Sequence, residues 1–172
     1  LETYPDSLID VVEIDPDVIE AAKTYFFLKD HPRLKIFNED ARTFLMDSDK
    51  KYDLIILDAY AADYVPFHLL TQEYFQIINE RLEPGGVVIS NLIGSLEGDT
   101  SDLPRAVYKT MQNSFSTVYV FTTYDVNLSN TQNLIFVAIQ DTRQFDRDEL
   151  ERLAVQNNVN VVLTDTKYLE RY

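Results

Sequence analysis

Apolar positions along this chain fall into two rhythms. Mostly apolar runs of four to eight residues occupy 8–13, 34–37, 52–57, 87–93, 117–124 and 133–140, and runs of that length mark sheet strands more often than helices. Between them, apolar residues recur at spacings of three and four. Val18, Ile19, Ala22, Tyr25 and Phe26 share one face of a helix that Pro16 is suited to start. Asn38-Glu39-Asp40-Ala41 turns into a helix around Thr43 to Met46. Tyr74, Phe75, Ile78 and Leu82 define the inward face of a helix over 71–82, with Thr71 as its cap and Pro84-Gly85-Gly86 as its stop. Further helices are predicted over 103–115 and 146–155. Residues 1–7 read as the tail of a helix and a turn at Pro5-Asp6, 94–100 as a polar, flexible stretch, 125–132 as a polar loop, and 159–163 as a short closing apolar segment.

Strand and helix alternating four times, then two strands in succession, predicts an α/β sheet, mostly parallel, ending in an antiparallel hairpin. A length of 172 residues fits one domain, and neither repeats nor a linker break it. No apolar run approaches the roughly 18 residues of a membrane span, and no signal peptide precedes Leu1, although the chain starts without Met. The absence of cysteine removes disulfides and thiolate metal sites from consideration and leaves the redox compartment undetermined; a cytoplasmic setting is the default expectation. Fifteen basic and 29 acidic residues give a net charge of -14, which argues against binding a nucleic-acid backbone and favours a cationic substrate. The plain alternative is that the acidity serves solubility.

In a parallel α/β sheet, ligands sit beyond the carboxyl ends of the strands. Glu13 closes the apolar run Val11-Val12 in Val-Glu-Ile-Asp-Pro, and is there placed to grip ribose hydroxyls rather than simply to be solvated. A strand with a glycine-rich turn belongs about 20 residues upstream of such an acid, yet the first glycine in this chain is Gly85. Asp40 is either a helix N-cap or a ligand residue. Asp58 follows Leu54-Ile55-Ile56-Leu57 at the functional edge of the sheet, as a catalytic or substrate-contacting carboxylate or as a solvated strand end. Tyr60, Asp63 and Tyr64 form either an aromatic and carboxylate cage for an ammonium or the packing of a lid. His31 and His68 are isolated and lack metal-ligand spacing.

Val-Glu-Ile-Asp-Pro, then Asn-Glu-Asp-Ala-Arg, Tyr-Asp-Leu-Ile-Ile-Leu-Asp and Leu-Glu-Pro-Gly-Gly, in this order, resemble the spermidine synthase (polyamine aminopropyltransferase) family within the class I S-adenosylmethionine-dependent methyltransferase fold. The resemblance covers residues 6 to about 140. It implies a Rossmann-like sheet in which Glu13 holds the ribose hydroxyls of an S-adenosyl ligand and Ile14 packs near the adenine. It further implies that Asp40 accepts from the adenine amino group, that the Ala41 backbone N–H meets a ring nitrogen, and that Asp58 is the acid-base residue. The implied reaction moves an aminopropyl group from decarboxylated S-adenosylmethionine to a polyamine such as putrescine, without a metal, in a homodimer. Nucleic acid and membrane are not among the expected partners.

The chain departs from the family in two places. Aminopropyltransferases usually carry Asp-Ser-Ser/Thr-Asp-Pro after the fourth strand, whereas Ala59, Ala61 and Ala62 stand here and Asp63 lies five positions after Asp58. After the fifth strand the family tends to have Gln, and this chain has Ser90-Asn91. The family's N-terminal β-strand domain and central first strand with its glycine-rich loop are also missing, which would leave two strands with unpaired edges at about 1 to 3 kcal/mol per orphaned buried amide. The expectation is therefore an N-terminally truncated domain, inactive by itself, or one whose gap is closed by its own strands or by another chain. A methyltransferase of the same fold using S-adenosylmethionine, or a non-catalytic binding or oligomerisation module, remains the alternative.

Overall fold

A short parallel pair carries the first candidate acid. In the computed structural model, which describes residues 4–59, 66–123, 127–142 and 144–156, β1 is Ile9–Val12 and β2 is Leu34–Phe37, running parallel in the register Ile9↔Leu34 to Val12↔Phe37. Helix α1, Pro16–Tyr25, connects them, starting at the predicted proline with Asp15 as N-cap. Helix α2, Ala41–Asp47, follows β2. Together they make one compact unit, Leu1–Asp49. The expected turn at Pro5-Asp6 is closed by a bond from the Ser7 N–H to the Tyr4 carbonyl, 3.2 Å.

The apolar face predicted for α1 is only partly covered. Ile19 and Ala22 are half-buried, but Val18 is 50% exposed, Tyr25 73% and Phe26 77%. Two causes act together. The helix ends at Tyr25, with Phe26 as its C-cap and Phe27 in a left-handed turn at φ 60°, so the stripe outruns the helix. Within this unit, moreover, a two-stranded sheet offers too little apolar surface to cover all five positions.

The second unit, Lys50–Tyr172, is built on a four-stranded sheet in the order β3-β4-β6-β5. Its strands are β3 (Tyr52–Leu57), β4 (Leu82–Gly94), β5 (Thr117–Thr122) and β6 (Gln132–Ile139). The pair β3 and β4 is parallel, while β6 lies antiparallel to both β4 and β5. Three strands thus share one direction and β6 alone opposes them, which is the mostly parallel sheet with a terminal antiparallel hairpin. Helices α3 (Gln72–Arg81), α4 (Asp102–Gln112) and α5 (Arg147–Gln156) complete the unit, with a short 3-10 turn at Phe67–Leu69.

The core of this unit follows the predicted spacing. Tyr74, Phe75, Ile78 and Leu82 are fully buried, and Thr71 caps α3 by accepting from the Tyr74 N–H at 3.2 Å. Val107 and Met111 of α4 join Val88 and Leu92 of β4 and Leu134 and Phe136 of β6, all 2% exposed or less. Each such side chain contributes about 1.5–3 kcal/mol of burial. By contrast, Leu54 and Ile56 of the edge strand β3 are 48% and 63% exposed.

Two boundaries differ from expectation. Pro84-Gly85-Gly86 does not follow the helix as a stop, because Leu82 already has extended backbone and opens β4. The three residues instead form a bulge inside the strand, where the pairing passes from Tyr52↔Leu82 to Leu54↔Val87 and Gly85 takes φ +81°. Residues 94–100 are likewise not a loose polar stretch. Ser95 and Leu96 are buried, the Leu96 and Glu97 N–H groups donate to the Leu128 carbonyl at 2.8 and 2.9 Å, and Ser95 Oγ donates to the Glu97 carbonyl at 2.6 Å. The predicted segment 159–163 lies outside the described residues.

The bulge yields a test. A Cβ on Gly86 would stand 2.8 Å from the Glu83 carbonyl oxygen and 3.1 Å from that of Tyr52, and backbone cannot swing aside as a side chain can. Gly86→Ala is expected to lower stability by about 1–3 kcal/mol, read as a lower urea midpoint at unchanged slope.

Candidate functional site

Glu13 stands one residue beyond β1, where its N–H still donates to the Phe37 carbonyl at 3.0 Å and so carries the ladder one step past the strand. The turn that follows is tied twice. The Asp15 N–H donates to Glu13 Oε1 at 2.9 Å, and Asn38 Nδ2 donates to the Glu13 and Ile14 carbonyls, both at 2.9 Å. Asn38 is placed to do this because Val12↔Phe37 is the last register pair, making Glu13 and Asn38 the next residues on neighbouring parallel strands. Glu13 is half-buried, while Ile14 is 65% exposed and presents an apolar surface beside the acid. Sequence reasoning passed over Asn38. Its place one step beyond β2 matches that of Glu13 beyond β1, but gains meaning only once the two strands are seen to be neighbours.

Asp40 is the N-cap of α2, with Oδ1 accepting from the Thr43 N–H at 2.9 Å and from Thr43 Oγ1 at 3.2 Å. The capping role is thus in place, and it fixes the carboxylate's direction at the mouth of the helix. Ala41 opens the helix, so its N–H is among the first four that have no acceptor inside it.

Asp58 stands one residue beyond β3 in the second unit. Its Oδ1 accepts from Asn91 Nδ2 at 3.0 Å. The ladder between β3 and β4 closes at Leu57↔Ser90, so Asp58 and Asn91 are again the next residues on two parallel strands. There β3 ends, whereas β4 runs on to Gly94 in register with Gln132 of β6. Asp58 is exposed and Asn91 half-buried.

Each unit therefore carries an acidic side chain at the carboxyl end of a parallel strand, where such sheets hold ligands. Glu13 is suited to accept from vicinal hydroxyls, and Asp58 to hold a cation and take a proton from it. Tyr60, Asp63 and Tyr64 lie outside the described residues. His31 is a loop residue whose Nδ1 accepts from the Arg33 N–H at 3.2 Å. Among the described residues no His, Asp and Glu cluster has the grouping of a metal centre, and no helix is long and apolar enough to cross a membrane.

Residues 4–149 match the profile of the spermine/spermidine synthase domain. A polyamine aminopropyltransferase of Vibrio vulnificus is 32% identical over 117 residues, which are 66% of this chain and 38% of that protein. Among solved structures, a probable spermidine synthase of Corynebacterium glutamicum superposes with a TM-score of 0.80 at 23% identity, over 99% of this chain and 62% of that one. Human methyltransferase-like protein 13, in complex with SAH, superposes with a TM-score of 0.75 at 23% identity, over 99% and 75%. Those likenesses establish the Rossmann-like methyltransferase fold. With the profile match spanning most of its length, the chain belongs to the spermine/spermidine synthase family.

Proposed function

We propose that the complete protein transfers an aminopropyl group from decarboxylated S-adenosylmethionine to a polyamine such as putrescine, a step of polyamine biosynthesis. The observation that carries this reading is Asp58, held at the carboxyl end of β3 in a chain of this family. In the reaction, an amine nitrogen attacks the methylene carbon next to the sulfonium. A carbon–nitrogen bond forms, the carbon–sulfur bond breaks, and its electron pair neutralises the sulfur, leaving methylthioadenosine. An ammonium has no lone pair for this attack, so a carboxylate must first bind it and help remove a proton. Asp58 has the charge and the position for both tasks. Placing the amine in line with the carbon supplies much of the remaining rate.

On this reading Glu13 accepts from the ribose hydroxyls and Ile14 lies against the adenine. Asp40 accepts from the adenine amino group while continuing to cap α2, and the Ala41 N–H donates to a ring nitrogen. Tyr60, Asp63 and Tyr64 are proposed to surround the distal end of the amine. A net charge of -14 draws in a polycation. A homodimer in the cytoplasm is part of the same proposal. The second reading is methyl transfer from S-adenosylmethionine, favoured by the departure from the family pattern between Asp58 and Pro66 and by the fold likeness to human methyltransferase-like protein 13.

Incubating the complete gene product with putrescine and either form of the nucleoside, and identifying the products by mass spectrometry, separates the two. Methylthioadenosine and spermidine are expected from the decarboxylated form; S-adenosylhomocysteine from the carboxylated form would replace this reading with methyl transfer. Asp58→Asn is expected to lower kcat by about 10²- to 10⁴-fold, the usual share of a general base. Glu13→Gln is expected to act on nucleoside affinity instead. Loss of a charged hydrogen-bond acceptor, at about 1.5–3 kcal/mol, corresponds to an increase of roughly 10- to 150-fold in Kd by calorimetry.

A further inference from the structure

Asn91 makes a costly choice of partners. Its Nδ2 donates to Asp58 Oδ1 at 3.0 Å, while its own Oδ1 is buried with no hydrogen-bond partner. A buried, unsatisfied amide oxygen weakens a fold, and an apolar side chain of similar shape would remove that burden. Nor does Asp58 require the bond for its solvation, since it is exposed and water can serve it. Stability therefore gives no reason for an amide at this position. Orientation does.

We propose that Asn91 is a positioning residue, whose side-chain amide fixes the rotation of the Asp58 carboxylate so that it meets the acceptor amine in one direction. The inference rests on the reading of Asp58 as the acid-base group. Its physical basis is the difference in anchorage between the two residues. Asp58 follows the last pair of β3, Leu57↔Ser90, and by itself is an exposed carboxylate at the start of a connection. Asn91 lies inside β4, paired with Ile135 of β6, between Ser90↔Phe136 and Leu92↔Leu134. The amide thus extends the rigidity of a strand onto a side chain that has left the sheet. A carboxylate free to rotate presents its proton-accepting oxygen to the amine only part of the time, and small errors of placement are expensive in rate.

The test uses the complete gene product with four variants, Asn91→Leu, Asn91→Gln, Asp58→Asn and the double variant Asp58→Asn with Asn91→Leu. Asn91→Leu is expected to lower kcat by about 10- to 100-fold, with nucleoside Kd unchanged and a Tm equal to or above that of the parent. Asn91→Gln, which keeps the donor on a longer arm, is expected to recover part of the rate. In the Asp58→Asn background, adding Asn91→Leu is expected to change the residual turnover by no more than about twofold, because residues that act as one unit are not additive. A purely structural Asn91 would instead lower Tm together with rate, and its losses would multiply with those of Asp58→Asn; that pattern overturns the proposal. Full activity in Asn91→Leu beside an inactive Asp58→Asn overturns it while leaving the acid-base reading intact. An active Asp58→Asn overturns both.

Discussion

A strand with neighbours on both sides has no freedom of register, and β4 is that strand. Over Val87 to Ser90 its backbone pairs in parallel with β3 and antiparallel with β6 at once. Slipping it by one residue would turn Val88 and Leu92, both buried, to the opposite face and break two ladders. The alternation that buries Val88, Ser90 and Leu92 sends Asn91 to the other side of the sheet. The bulge at Pro84-Gly85-Gly86 absorbs the mismatch between a helix that ends at Arg81 and a register that must begin at Leu54↔Val87. The position of Asn91 is thus inherited from the core, through α3 and the ladder, rather than set by local turn chemistry.

Much of this was legible from the chain alone, and the failures have a common cause. The strands, the mostly parallel order and the closing hairpin follow from runs of apolar residues, and α3 follows from the spacing of Tyr74, Phe75 and Ile78, all fully buried. On α1 the spacing again marks one face, yet Val18, Tyr25 and Phe26 there are not buried. Periodicity says which residues share a face and is silent on whether anything covers it. The bulge was misread for a related reason. Gly85 at φ +81° fits a helix stop and a strand bulge equally well, and only the pairing partner distinguishes them. At the strand ends, Glu13 and Asp58 could be picked out because an acid ending an apolar run stands out. Asn38 could not, since its meaning depends on which strand lies beside it.

The two units share a construction. In each, an acidic residue one step past a parallel strand is met by an asparagine one step past the last pair on the neighbouring strand. Asn38 ties down backbone carbonyls at Glu13 and Ile14, whereas Asn91 reaches the Asp58 carboxylate itself. Asparagine suits both tasks because its amide donates without carrying a charge that would neutralise the acid. Each acid is thus tied in place without an opposing charge from its asparagine.

The ladder that ends at Leu57↔Ser90 also separates two kinds of inheritance. The direction of the Asp58 carboxylate is written into β4, through a side chain whose strand neighbours Ser90 and Leu92 are buried. The carboxylate itself is carried by a residue that already stands outside that ladder, one step past the last pair of β3. A change at Asp58 therefore leaves the pairing of the sheet as it is, whereas a change at Asn91 falls inside a strand paired with β6. The charge and its direction are thus set by separate segments of the chain, and each can be altered without altering the other.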